Sequence, residues 1–145
     1  MNLKIASAQY PIRFHKSFND WQIYTQNWVE NAVKQEAKLL VFPEYGSMEL
    51  VSLLTAEMRA DIRWQVRFLN NFKDDFCTVY ADLAKKFNTT IVSPSFPVLE
   101  GDLAHNRAFV FSPKGLVGFQ DKFFMTRFEN EEWGNSVSTK KVNFV

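Results

Sequence analysis

The chain has 145 residues and a formal net charge of +1, long enough to bury a core and too near neutrality to point to nucleic acid or an anionic membrane as a partner. Aromatic residues make up 16%, which argues for a packed core or interfaces and against disorder. It has one Cys, no N-terminal apolar segment of the secretory kind, and no apolar run near the ~18 residues of a membrane span, so the expectation is a cytoplasmic protein without an internal disulfide.

Leu3 to Tyr10 alternates as a strand, and Pro11 ends it. Ser17 is a helix N-cap with Asp20 in the capping-box position, and Phe18, Trp21, Thr25, Trp28, Ala32 and Val33 recur at helical spacing, predicting a helix from Phe18 to Ala37. Lys38 to Phe42 is a second strand, and Ser47 to Leu54 reads as one short helix. Met58, Ile62, Val66 and Leu69 predict a continuous helix ending at Asn70-Asn71, with Arg59, Arg63 and Arg67 on a solvated face. The stripe Phe72, Phe76, Val79, Tyr80, Leu83, Ala84, Phe87 is the cleanest helical pattern, stopped by Asn88. Thr89 to Ser93 is a β-branched strand. Asn106 to Phe111 and Leu116 to Gln120 form a hairpin around Ser112-Pro113-Lys114-Gly115. This order fits an α/β layer fold, without repeats or an interdomain linker.

The chemistry starts at Leu39 to Tyr45, LLVFPEY. An apolar run suits a buried strand, Pro43 ends its ladder for want of an N–H, and Glu44 follows at the carboxyl end, where α/β sheets bind ligands. A half-desolvated Glu there can act as a base near neutral pH, while a solvated strand-end Glu would do nothing. Tyr45 and Glu49 follow it and are expected to line a substrate pocket, although Tyr45 could equally serve packing. A second segment, QDKFFMTRFENEEWG (120–134), places Lys122 at the end of the hairpin and Glu129 seven residues later. Taken singly, Lys122 could be a solvated hairpin end and Glu129 a surface acid beside Glu131 and Glu132. His15 and His105 have no partners at metal-ligand spacing and are expected on the surface or in loops. Cys77 sits beside Phe76 in the helical stripe and reads as a small buried hydrophobe.

Taken together, these segments resemble the nitrilase superfamily, the carbon–nitrogen hydrolases. Phe42-Pro43-Glu44 is similar to the family's F-P-E segment, Asp121-Lys122 to its lysine segment, and Glu129 with Trp133-Gly134 to the supporting Glu and the Trp-Gly behind it. The opening KIASAQYPI (4–12) looks like the family's first strand, and Asn106-Arg107-Ala108 resembles its N-x-A strand start. The resemblance implies an α-β-β-α sandwich, here in its N-terminal portion, with Glu44 as base, Lys122 as oxyanion support and Glu129 positioning Lys122 or the substrate amine. It implies hydrolysis of a small amide or a nitrile through a Cys acyl-enzyme, with no cofactor, no metal, and assembly into homo-oligomers.

The chain departs from the family at one point. The nucleophilic Cys of these enzymes lies past the Lys, after a further strand, and the chain ends at Val145 in what reads as the start of that strand. A complete domain of this kind runs to roughly 250–300 residues. Residues 1–145 are therefore expected to be the N-terminal half, with the C-terminal half of the same protein as partner and source of the Cys. Two other readings stand beside this one: a catalytically inactive fragment or assembly partner of the same fold, and an unrelated small α/β binding domain.

Overall fold

The computed structural model describes residues 2–131; Trp133-Gly134 and the strand expected towards Val145 lie outside the described residues. Strands β1 (Ile5–Ser7), β2 (Leu39–Val41) and β3 (Thr90–Val92) are parallel neighbours, with β2 in the middle. β5 (Leu103–Ser112) runs antiparallel beside β3 and, further along, beside β4 (Phe96–Glu100), while β6 (Gly115–Asp121) closes the hairpin on its other side.

Helix α1 (Phe18–Lys34) starts at Ser17, whose hydroxyl accepts the Asp20 N–H at 3.1 Å. It ends before the predicted Ala37 because Glu36 turns left-handed (φ 64), with Glu36 N–H donating to Val33 O and Ala37 N–H to Ala32 O. That paired bonding satisfies the last carbonyls of the helix and turns Ala37 into the core. The continuous helix predicted through Met58 and Leu69 is two helices, α2 (Ala56–Arg59) and α3 (Ile62–Leu69). Asp61 breaks it by capping, its carboxylate accepting the Arg63 N–H at 2.8 Å, a competing local bond open to Asp in extended backbone. Arg59 therefore leaves the expected row and donates to Leu54 O and to Ser52 O.

Helix α4 (Lys73–Lys86) matches the aromatic stripe, and Asn88 reverses the chain with φ 48. β4 has no counterpart among the predicted strands, since Pro97 reads as a breaker. It is tolerated because among the described residues β4 pairs with β5 on one side only, so the missing N–H breaks no ladder. The same pairing starts β5 at Leu103 instead of Asn106. His105, expected in a loop or on the surface, is thereby a strand residue and mostly buried. His15 is also corrected: its ring is buried, drawn in by a buried carboxylate.

α1 and α4 cover one face of the sheet. Trp21 stacks on Phe76 (5.7 Å between centroids), Phe76 meets Phe96 (4.9 Å), and Tyr80 meets Phe42 edge-on (5.5 Å) above Leu40, Ile91 and Phe111. The opposite face carries Leu39, Val41, Val92 and Val110, only half buried, and neither α1 nor α4 packs on it. One helical layer and one sheet are what the first half of an α-β-β-α sandwich provides. Among the described residues no helix is long and apolar enough to cross a membrane.

Phe76 is fully buried at the junction of both helices and the sheet. Phe76→Ala should cost about 3–5 kcal/mol of unfolding free energy in a urea titration, and a loss under about 1 kcal/mol would contradict this packing.

Candidate active site

β2 delivers Glu44. After Phe42 N–H donates to Val92 O, Pro43 leaves the ladder and the chain makes a sharp elbow. Tyr45 takes the left-handed conformation (φ 53, ψ 16), uncommon for a bulky residue and costing of order 1–3 kcal/mol. Two bonds hold it: its N–H donates to Ser95 Oγ at 2.8 Å, and its hydroxyl donates to Glu129 Oε1 at 2.7 Å. Gly46 follows, so close to the Pro94 turn that a Cβ there would lie 2.9 Å from Pro94 Cβ. The 3-10 helix Gly46–Leu53 then leads away.

β6 delivers Lys122, whose backbone N–H donates to Asn106 O at 2.8 Å. Its ammonium donates to Glu44 Oε1 at 3.0 Å and to Glu129 Oε2 and Oε1 at 2.9 and 3.1 Å. Glu129 comes from the short helix α5 (Arg127–Glu131), where a capping box fixes it. Thr126 N–H and Oγ1 each donate to Glu129 Oε2 at 2.8 Å, while Glu129 N–H donates back to Thr126 Oγ1 at 3.3 Å. Glu44, Lys122 and Glu129 thus meet, although 78 residues separate the first two.

The two carboxylates differ sharply. Glu129 is buried, which alone would raise its pKa, but Lys122, the Thr126 N–H, the Tyr45 hydroxyl and the Thr126 hydroxyl outweigh burial and hold it down at about 2. It is a fixed anion with its lone pairs taken. Glu44 is half exposed; Lys122 and Asn106 Nδ2 (2.7 Å) both bind its Oε1, and Oε2 has no hydrogen bond among the described residues. The hydrogen bond to Glu129 raises the Lys122 pKa; burial opposes it and the bond to Glu44 adds to it, so the ammonium stays charged. Glu44, Val92, Ser95, Asn106, Gln120 and Lys122 line a cleft on the sheet face away from the helices.

Glu49, expected in the pocket, is not brought to this cluster. It is 2% exposed and binds the Tyr10 hydroxyl, His15 Nε2 (3.0 Å) and the Arg13 N–H (3.3 Å), tying the segment after β1 to the 3-10 helix. Tyr45 is at the cluster, with its hydroxyl committed to Glu129. Cys77 is half buried against the core, and burial, with Lys73 opposing and Asp74 adding, pushes its thiol up to about 11, the reverse of an activated nucleophile. Sequence reasoning gave no role to Asn106, Ser95 or Thr126. Thr126-x-x-Glu129 carried a readable signal, a capping-box spacing, whereas the position of Ser95 depends on tertiary packing.

A family model described as carbon–nitrogen hydrolase matches residues 4–142. The probable hydrolase YhcX of Bacillus subtilis (strain 168) is 27% identical over 134 residues, which make up 92% of this chain and 26% of that protein. The fold is similar to that of a carbon–nitrogen hydrolase from Helicobacter pylori G27, with a TM-score of 0.69 and 18% identity over 92% of this chain and 44% of that one. It is also similar to an amidase from Nesterenkonia sp., with a TM-score of 0.62 and 17% identity over 95% of this chain and 49% of that one. The chain therefore spans about half the length of these solved structures and about a quarter of the curated relative.

Because the Glu129 carboxyl is depressed from 4.5 to about 2, its contribution to stability is present above pH 4.5 and lost as pH falls towards 2. Urea unfolding midpoints should decline over that window, and Glu129→Gln should flatten this part of the curve; an identical slope in the variant would contradict the assignment.

Proposed function

Since the chain belongs to the carbon–nitrogen hydrolase family, we propose that it is the N-terminal half of an enzyme that hydrolyses a non-peptide carbon–nitrogen bond in a small amide or a nitrile. Family membership removes the reading as an unrelated α/β binding domain. The amidase among the solved relatives supports an amide as substrate. The observation that carries the mechanism is the asymmetry of Glu44: one oxygen tethered by Lys122 and Asn106, the other without a hydrogen bond among the described residues and so open to act as a base.

The steps follow from that asymmetry. A Cys thiol supplied from sequence beyond Val145 gives its proton to Glu44 Oε2, and the sulfur attacks the amide carbon. The carbonyl oxygen becomes an oxyanion beside the Lys122 ammonium, a fixed positive charge that needs no reorganisation. As the carbon–nitrogen bond breaks, Glu44 returns the proton to the leaving amine. A water, deprotonated by Glu44, then hydrolyses the thioester and regenerates the thiol. Glu129 takes no proton in this scheme; it keeps Lys122 in place and charged.

The half-buried apolar face and the share of each solved relative that the chain covers support a C-terminal half packed against this sheet. Apolar side chains exposed elsewhere, among them Phe14, Trp64 and Phe124, support association of the whole protein into oligomers.

In the whole protein, Glu44→Gln should reduce the acylation burst with an activated amide or ester by about 10²–10⁴-fold while leaving substrate binding largely intact. Lys122→Ala should lose about 10²–10³-fold through the oxyanion. Residues 1–145 alone should give no burst. Wild-type acylation by Glu44→Gln would show that Glu44 is not the base.

A further inference from the structure

The hairpin that presents Lys122 changes register along its length. Beside the turn, Ser112 pairs with Gly115 and Phe111 with Leu116, but the following pairs are Val110 with Gly118, Phe109 with Phe119, Ala108 with Gln120 and Arg107 with Asp121. Val117 is the residue left over, a one-residue bulge in β6. Had β6 kept the register of the turn, Arg107 would face Gln120, and Lys122 would lie opposite His105 instead of Asn106. Successive residues of a strand point to opposite faces, so the ammonium would leave the side of Glu44 and Glu129. The turn does not specify the register that the site needs, so another contact has to.

At the far end of the hairpin, on the face opposite Asn106, Arg107 and Asp121 form a buried ion pair. Arg107 Nε donates to Asp121 Oδ1 at 2.6 Å and Nη2 to Oδ2 at 2.9 Å, a two-pronged bond made across one register pair. Nη2 also donates to Glu100 Oε1 at 2.7 Å, which ties β4 to the same point, and the guanidinium lies 3.8 Å from the centre of the Phe119 ring. Asp121 is 2% and Arg107 7% exposed. Desolvation cancels much of the attraction in such a pair, and apolar residues of similar volume often serve stability equally well. A buried pair with a fixed fork geometry does, however, discriminate between registers, because a slip by one residue turns Asp121 to the other face and leaves the buried Arg107 guanidinium without it.

We infer that Arg107 and Asp121 are positioning residues: their ion pair locks β6 in the bulged register and so keeps Lys122 on the face of Glu44 and Glu129. The catalytic consequence rests on the function proposed for Lys122, but the register is measured without any activity. The test is NMR on the chain and on its Arg107→Met/Asp121→Leu double variant. In the wild type, short Hα–Hα contacts join positions 107 and 121 and positions 109 and 119, the non-hydrogen-bonded pairs of this register. The double variant should remain folded but show added contacts between 107 and 120 and between 109 and 118, with exchange of the Lys122 N–H faster by about tenfold or more. If the variant keeps only the original contacts and an unchanged Lys122 exchange rate, the inference is wrong. Unfolding of the variant would overturn it as well, since the pair would then be supplying stability instead of register.

Discussion

One ammonium held between two carboxylates is the contact on which the rest of this structure turns. Lys122 reaches Glu44 at 3.0 Å and Glu129 at 2.9 Å, and neither acid would sit comfortably so near the other without it. The surroundings then make the two acids unlike. Glu129 is enclosed by Thr126, Tyr45 and Lys122 and keeps its charge far into acid, whereas Glu44 stands half exposed, with one oxygen unbonded among the described residues. A fixed anion and a half-exposed carboxylate arise from the same side chain type, separated only by what each environment donates.

The scaffold serves that contact from three directions. The parallel strands bring the end of β2 to the rim of the sheet, and Pro43, the left-handed Tyr45 and the crowded Gly46 turn Glu44 out of the ladder. The β5–β6 hairpin carries Lys122 in, with a bulge that decides its face. A five-residue helix, too short to be stable by propensity, holds Glu129 through its capping box. Both helices that build the aromatic core lie on the other face, so the core and the Glu44–Lys122–Glu129 cluster use opposite sides of one sheet. The residues that bridge the two are Asn106 and Arg107, adjacent on β5 and facing opposite ways.

Local rules made much of this legible in the sequence. α1 and α4 follow from their apolar periodicity, β2 from an apolar run stopped by Pro43, and the hairpin from Pro113 and Gly115 around a two-residue turn. Glu44, Lys122 and Glu129 were visible as an ordered set, although their meeting is a tertiary fact. What stayed hidden depended on competition or partners. Asp61 capped where periodicity favoured continuation, and Pro97 was accepted because the edge of β4 away from β5 meets the Asn70 side chain and no strand among the described residues. His15 reads as a surface or loop residue and Glu49 as a pocket residue in the sequence, because neither shows there the burial that each permits the other beside Tyr10. The bulge at Val117 has no local signature in the sequence.

Lys122 should remain a fixed positive charge, held by Glu129 and available to Glu44. Its ammonium can be followed directly by nitrogen-detected NMR of labelled lysine side chains through a pH titration. The account predicts that the Lys122 Nζ resonance titrates above 10.5, exchanges slowly with water, and shifts when Glu129 is changed to Gln. A Lys122 that loses its proton below 10.5, or whose resonance ignores the Glu129→Gln change, would contradict it.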